Sequence, residues 1–145
     1  MIIIKKKFFK IAREESKLSD FCGAHIGAIA VYKDKFIIAR AHNMEKTNTT
    51  QWYYNRFRLE DKNDLMTKPS KSHAEINLYR KIRYLDIDFK KVTVYVYREL
   101  KNGALALAAP CKACEQALRA LGIRNICYTT NEGYIQKKFY EENKI

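Results

Sequence analysis

His73-Ala74-Glu75 and Pro110-Cys111-Lys112-Ala113-Cys114 are the two stretches from which the rest of this chain is read. Each stands where a helix begins. Ser72 is a candidate N-cap with Glu75 three residues later, as in a capping box, and Ile76, Tyr79 and Ile82 carry the helix to about Tyr84. Pro110 suits a helix start because it lacks an N–H that the first turn could not use. The helix through Cys114, Ala117, Leu118 and Leu121 then stops at Gly122. Two thiols in C-x-x-C spacing and one imidazole from elsewhere are soft ligands that clamp a metal ion and leave a fourth position open. A capping role would account for Glu75 alone; it would not account for His73 or the cysteine pair.

Working outward, Phe8, Phe9, Ile11, Ala12 and Leu18 mix with charges from about Phe8 to Asp20 as in an amphipathic helix, which ends near Gly23. Ile26–Tyr32 and Phe36–Ala41 are β-branched apolar segments joined by Lys33-Asp34-Lys35, a hairpin with Asn43 just beyond it. Val92–Arg98 alternates Val and Tyr with Thr and Arg, and Ile123–Thr130 is a further strand. Asn131-Glu132-Gly133 then turns into Tyr134–Phe139. Only 15 residues follow Thr130, too few for the crossover and strand that a parallel neighbour needs, so the last two strands are expected to be antiparallel. The order helix, strand, strand, helix, strand, helix, strand, strand predicts one domain over residues 1–145, a three-layer α/β/α fold with a five-stranded mixed sheet.

Met44 to Ser72 has no clean period and gathers Trp52, Tyr53, Tyr54, Arg56, Phe57 and Arg58. It is read as a long insertion or a loop with a short helix; its aromatic content argues against disorder, so it is expected to be a lid or substrate wall, with Trp52, Tyr53, Tyr54 and Arg56 as the wall residues. Packing of the same aromatics onto the core is the competing reading.

The chain carries 28 Lys+Arg against 16 Asp+Glu, a net charge of +12, which favours anionic partners such as nucleotides or polynucleotides; a surface charged for solubility is the alternative. Cys22 and Cys127 lie in apolar contexts and read as buried thiols, a pattern that fits a reducing compartment. The opening Met1-Ile-Ile-Ile-Lys-Lys-Lys-Phe-Phe-Lys10 lacks the order and length of a signal peptide, and no run approaches a membrane span. A cytoplasmic protein without a membrane partner is expected. His25 and His42 each lie beside a predicted strand with no cysteine at metal spacing, and read as packed or surface residues.

His73-Ala74-Glu75 with Pro110-Cys111-Lys112-Ala113-Cys114, supported by the hairpin ending at Asn43 and by Gly122-Ile123-Arg124-Asn125-Ile126, resembles the cytidine deaminase superfamily of zinc enzymes. Tyr79 departs from the aliphatic residue usual after the first motif, which bears on local packing. The resemblance implies Zn2+ as cofactor, held by His73, Cys111 and Cys114 with water in the fourth position. It implies Glu75 as the catalytic proton shuttle, the Ala74 N–H and Ala109 carbonyl as holders of the base edge, and Asn43 as a sugar contact. Asn43-Met44-Glu45 is a weaker likeness to a ribose-gripping motif, and Glu45 reads better as a surface residue.

The expected activity is hydrolysis of a C–N bond in a cyclic amidine. Cytosine of cytidine, deoxycytidine or the monophosphate becomes uracil and ammonia is released. The antiparallel end of the sheet favours this over adenosine-directed relatives, and family resemblance implies a homo-oligomer. One alternative is a deaminase of single-stranded DNA or RNA, with Trp52, Tyr53, Tyr54, Arg56 and Arg58 stacking on and neutralising the strand. A further alternative is a non-catalytic zinc-containing nucleic-acid-binding module. It requires Cys22 or Cys127 to close the metal site, or Glu75 to turn away.

Overall fold

The computed structural model describes residues 5–57 and 71–139. Residues 1–4 of the opening segment, Arg58 with the remainder of the insertion to residue 70, and residues 140–145 lie outside the described residues. The elements in chain order are α1 (Lys6–Ser16), β1 (Ile26–Tyr32), β2 (Phe36–His42), α2 (Thr49–Tyr54), α3 (Ala74–Ile82), β3 (Val92–Arg98), α4 (Lys112–Leu121), β4 (Asn125–Thr130) and β5 (Gly133–Lys138). The strands form one five-stranded sheet in the order β2-β1-β3-β4-β5. β3 and β4 are parallel, and β1–β2, β1–β3 and β4–β5 are antiparallel, as the short C-terminal segment predicts.

Period-two alternation in the central strands builds two cores. Ala28 and Ala30 of β1 and Val92, Val94 and Val96 of β3 point to the face covered by α3 and α4, where they meet Leu78, Ile82 and Leu118. Ile29, Val31, Tyr95 and Tyr97 point to the opposite face, where Phe8, Phe9 and Ala12 of α1 cover them. Phe9 meets Tyr95 edge-on with ring centroids 5.2 Å apart. Burying each α1 phenylalanine contributes about 1.5–3 kcal/mol, and this fixes the helix on the sheet.

Local chemistry sets the boundaries. The β1–β2 turn places both Lys33 (φ 54) and Asp34 (φ 58) in the left-handed region and closes on a Lys35 N–H to Tyr32 carbonyl bond of 3.1 Å. α4 ends on Gly122 at φ 102, the conformation that a helix C-terminus asks of glycine. α1 stops at Ser16, short of the predicted Asp20, and leaves Leu18 exposed. Ser72 is not the N-cap of α3. Its N–H and carbonyl both pair with Met44, each bond 3.0 Å, so the backbone is still extended there and the helix begins one residue later with His73 as cap. Cys22 is exposed, contrary to the expectation of a buried thiol, because the chain from Phe21 to His25 lies between α1 and β1 as loop; Cys127 is buried as expected. Among the described residues no helix is long and apolar enough to cross a membrane.

Gly27 of β1 sits directly beneath α1. A Cβ there would stand 2.0 Å from the Ala12 carbonyl oxygen and 2.6 Å from the Ser16 nitrogen, both backbone atoms that cannot swing aside. Gly27→Ala is therefore expected to lift α1 off the sheet and lower stability by about 3 kcal/mol, measured as a shift of the urea unfolding midpoint at unchanged slope.

Candidate metal centre

α3 and α4 lie side by side on one face of the sheet with their N-termini close together. His73 is the N-cap of α3, Cys111 is the N-cap of α4, and Cys114 lies in the first turn of α4. Neither cap side chain bonds its own helix N-terminus; the imidazole and thiols are engaged with one another instead. His73 Nδ1 stands 3.5 Å from Cys111 Sγ and 3.3 Å from Cys114 Sγ, and the two sulfurs are 3.6 Å apart. Among the described residues these three form the one group of His, Cys, Asp or Glu donors that could hold a metal ion, all within 4.8 Å of one another. Ligands about 2.0–2.3 Å from a tetrahedral ion lie roughly 3.5–3.7 Å from each other, so one nitrogen and two sulfurs at these separations fit zinc.

The electrostatics agree with that fit. The hydrogen bond between the Cys111 and Cys114 sulfurs, followed by His73, holds the Cys111 thiol far below its usual range even though burial opposes it. The thiolate is the metal-binding form, and the helix N-terminus beneath it favours negative charge. Cys127 lies on the other side of the sheet under α1, where burial pushes its thiol up to about 12. Cys22 is on the exposed loop after α1 and is likewise outside the group. Neither closes the fourth position.

Glu75 is 5% exposed and stands beside the donors without joining their group. Burial raises its carboxyl to about 7, partly offset by His73 and by the Glu75 N–H. The result is a carboxyl that exchanges its proton near neutral pH beside a set of metal ligands. The capping explanation of this residue falls with Ser72.

The aromatic insertion divides between inside and outside. Trp52 is 74% exposed and Tyr53 49% exposed, with the Arg56 guanidinium 4.2 Å above the Tyr53 ring and its Nη2 donating to the hydroxyl at 2.6 Å. Tyr54 turns inward instead. It packs with Ile76, Ala113, Cys114 and Ala117, and its hydroxyl meets that of Tyr79 at 3.4 Å, the residue that departs from the family pattern. Tyr54 thus anchors α2 to α3 and α4. Asn43 is buried, its Oδ1 accepting from the Ile26 N–H at 2.9 Å and its Nδ2 donating to the Ala24 carbonyl at 2.7 Å. Ala74 is buried at the start of α3, Ala109 is exposed ahead of Pro110, and Glu45 is exposed with its N–H bonded to Asp20. His25 is exposed, and His42 is half-buried with its Nδ1 2.7 Å from Glu15.

Sequence reasoning missed the support of His73. Gln51 is fully buried, and its Oε1 accepts the His73 N–H at 2.8 Å while its Nε2 donates to Asn55. Asn48 caps α2 through the Gln51 N–H and donates to Asn77 Oδ1 at 3.0 Å. Asn77 donates in turn to the His42 carbonyl and to Ser72 Oγ. The cap was legible at Asn48 before Thr49-Thr50-Gln51, whereas the Gln51–His73 bond spans the insertion and leaves no local trace.

The chain matches the family described as the cytidine and deoxycytidylate deaminase zinc-binding region over residues 3–130. No curated protein matches it in sequence. Among solved structures, the dCMP deaminase of cyanophage S-TIM5 in complex with dCMP and dUMP is similar at a TM-score of 0.57 and 19% identity, with 85% of this chain and 78% of that one covered. A cytidine deaminase from Burkholderia pseudomallei is similar at a TM-score of 0.64 and 14% identity, covering 96% and 95%. At these identities the likeness is one of fold.

Two outcomes follow from the geometry. Gln51→Leu leaves the His73 N–H without its partner and should weaken zinc binding by about tenfold or more, read by competition with a coloured chelator. Glu75→Gln should alter the pH dependence of stability in the metal-free chain. The folded carboxyl keeps its proton to about 7 whereas the unfolded one releases it near 4.5, so folding takes up a proton and the parent loses stability as pH rises through that window. Urea unfolding of both proteins should show the variant gaining on the parent across it, by at most about 3 kcal/mol.

Proposed function

The chain belongs to the cytidine and deoxycytidylate deaminase zinc-binding family, and from that premise we propose that it is a zinc-dependent hydrolase converting the cytosine of cytidine, deoxycytidine or the monophosphate to uracil with release of ammonia. The observation that carries the reading is the buried Glu75 carboxyl beside the His73, Cys111 and Cys114 donors but outside their group. Zinc held by those three supplies the Lewis-acid charge that makes water acidic near neutral pH.

In this reading the chain's own residues manage protons and position. Glu75 accepts a proton from the attacking water, delivers it to the ring nitrogen of the base, and serves again as the amine departs as ammonia. The Ala74 N–H, at the mouth of α3, and the Ala109 carbonyl hold the polar edge of the base. Asn43 serves the sugar side, its amide kept in place by Ala24 and Ile26. Trp52, Tyr53 and Arg56 form the outer wall, and Tyr54 fixes the helix that carries the first two. Free thiols fit a cytoplasmic setting, and exposed Leu18, Phe36 and Ile37 supply apolar surface for a homo-oligomer.

A single-stranded polynucleotide is the second reading, favoured by the exposure of Trp52 and of the Tyr53–Arg56 pair. One panel separates the two. Zinc-loaded protein and its Glu75→Ala variant are offered cytidine, deoxycytidine, their monophosphates and a cytosine-containing strand, with products followed by mass spectrometry. The parent should convert a small substrate, and the variant should lose about 10²–10⁴-fold in rate while keeping its zinc. Conversion confined to the strand moves the substrate to the polymer, and no conversion by the zinc-loaded parent overturns the enzyme.

A further inference from the structure

α1 covers β1 and β3 and leaves a cleft between its outer face and the β5 side of the sheet. The cleft, about 390 Å³, is lined by Lys6, Lys7, Phe9, Lys10, Arg13, Tyr97 and Tyr134. At 100° per residue, Lys6, Lys10, Arg13 and Lys17 fall within an arc of roughly 60° on the helix, next to Phe9. All four are exposed and together span about 16 Å along the axis. The half-buried Tyr134 ring stacks on Phe9 with centroids 4.2 Å apart, so the floor beneath the cations is aromatic. Acidic Glu14 borders the stripe on the Lys10 side, about 40° away on the helix, and Glu15 is buried against Arg40 and His42.

The cleft does not end at Arg13. That guanidinium is joined to Glu99 at 3.4 Å, and Glu99 also accepts the Tyr97 hydroxyl at 2.7 Å. On the far side of Glu99 lies a second cleft, about 540 Å³, with Lys17, His25, Arg98 and Lys101 in its walls. Arg98 donates to the Leu107 carbonyl in the segment that leads to Pro110, and Ala24, also in the wall, holds the Asn43 amide. A basic track thus runs along α1 and reaches the end of the sheet that carries the metal donors.

We propose that this track binds the phosphodiester backbone of a single-stranded polynucleotide, with Lys6, Lys10, Arg13 and Lys17 following successive phosphates and the half-buried Tyr134 offering ring surface. Concavity and an aromatic floor favour a strand over a flat anionic membrane, and the net charge of +12 draws it in. The inference stands apart from turnover: strands of thymine or uracil alone carry no cytosine, so their binding reports on the track and not on deamination.

The test is fluorescence anisotropy of labelled oligo(dT) and oligo(U) against the parent, a Lys6→Gln/Lys10→Gln variant, and a Lys81→Gln/Arg80→Gln variant that removes the same charge from α3 across the sheet. The parent should bind one or both strands with steep salt dependence. The α1 variant should bind about tenfold more weakly, with its salt slope reduced by about 1.4, and the α3 variant should match the parent. Equal weakening by the two variants, or attachment to phosphatidylserine vesicles with no attachment to either strand, overturns the proposal. Deamination of a small substrate serves as the folding control, and the α1 variant should retain it.

Discussion

The N-termini of α3 and α4 are brought to one point by the sheet, and the candidate chemistry depends on that convergence. β3 follows α3 and precedes α4, and its valines, packed against Leu78, Ile82 and Leu118, hold both helices on the same face. With the helix starts side by side, the imidazole of the residue at one N-cap position and the thiol of the residue at the other come within 3.5 Å. Helix dipoles and mutual hydrogen bonds then favour the thiolate, the form a metal requires. The second core, under α1, performs no chemistry in this arrangement. It closes the opposite face, and Gly27 is the position where that closure admits no side chain.

Much of this was legible in the residues because the governing signals are local. Alternation in Val92–Arg98, the Gly122 stop and the short segment after Thr130 each reflect one physical rule, and each leads to the observed element or pairing. The His73, Cys111 and Cys114 group was legible from residue type and spacing, since few pairs of motifs place soft donors at two helix starts. Where several bonds compete for one residue, local reading failed. Ser72 has the chemistry of an N-cap, but pairing with Met44 claims its backbone first. Tyr54 fits a substrate wall or core packing equally well by composition, and its buried partner Tyr79 shows only in the tertiary structure.

α2 shows why the insertion resists a reading from composition. Over one and a half turns it places Gln51 and Tyr54 inside, on His73 and on the cysteine helix, and Trp52 and Tyr53 outside. One short helix thereby supports His73 from within and presents two aromatic rings to solvent, so changes on its two faces should have separable effects. The charge of the chain is likewise uneven in use. Some of it is paired, as in Arg40 with Glu15 and Lys137 with Glu115, while the α1 stripe carries several exposed cations, of which Arg13 is joined to Glu99.

The account rests on a centre with one nitrogen and two sulfurs from the protein and a fourth position left for chemistry. X-ray absorption at the zinc edge of the metal-loaded protein tests it most directly. Two sulfur scatterers at about 2.3 Å and two lighter atoms at about 2.0–2.1 Å are predicted. Three or four sulfurs would mean that Cys22 or Cys127 is drawn in and the centre is closed, and the absence of sulfur would mean that the metal lies elsewhere; either result contradicts the account.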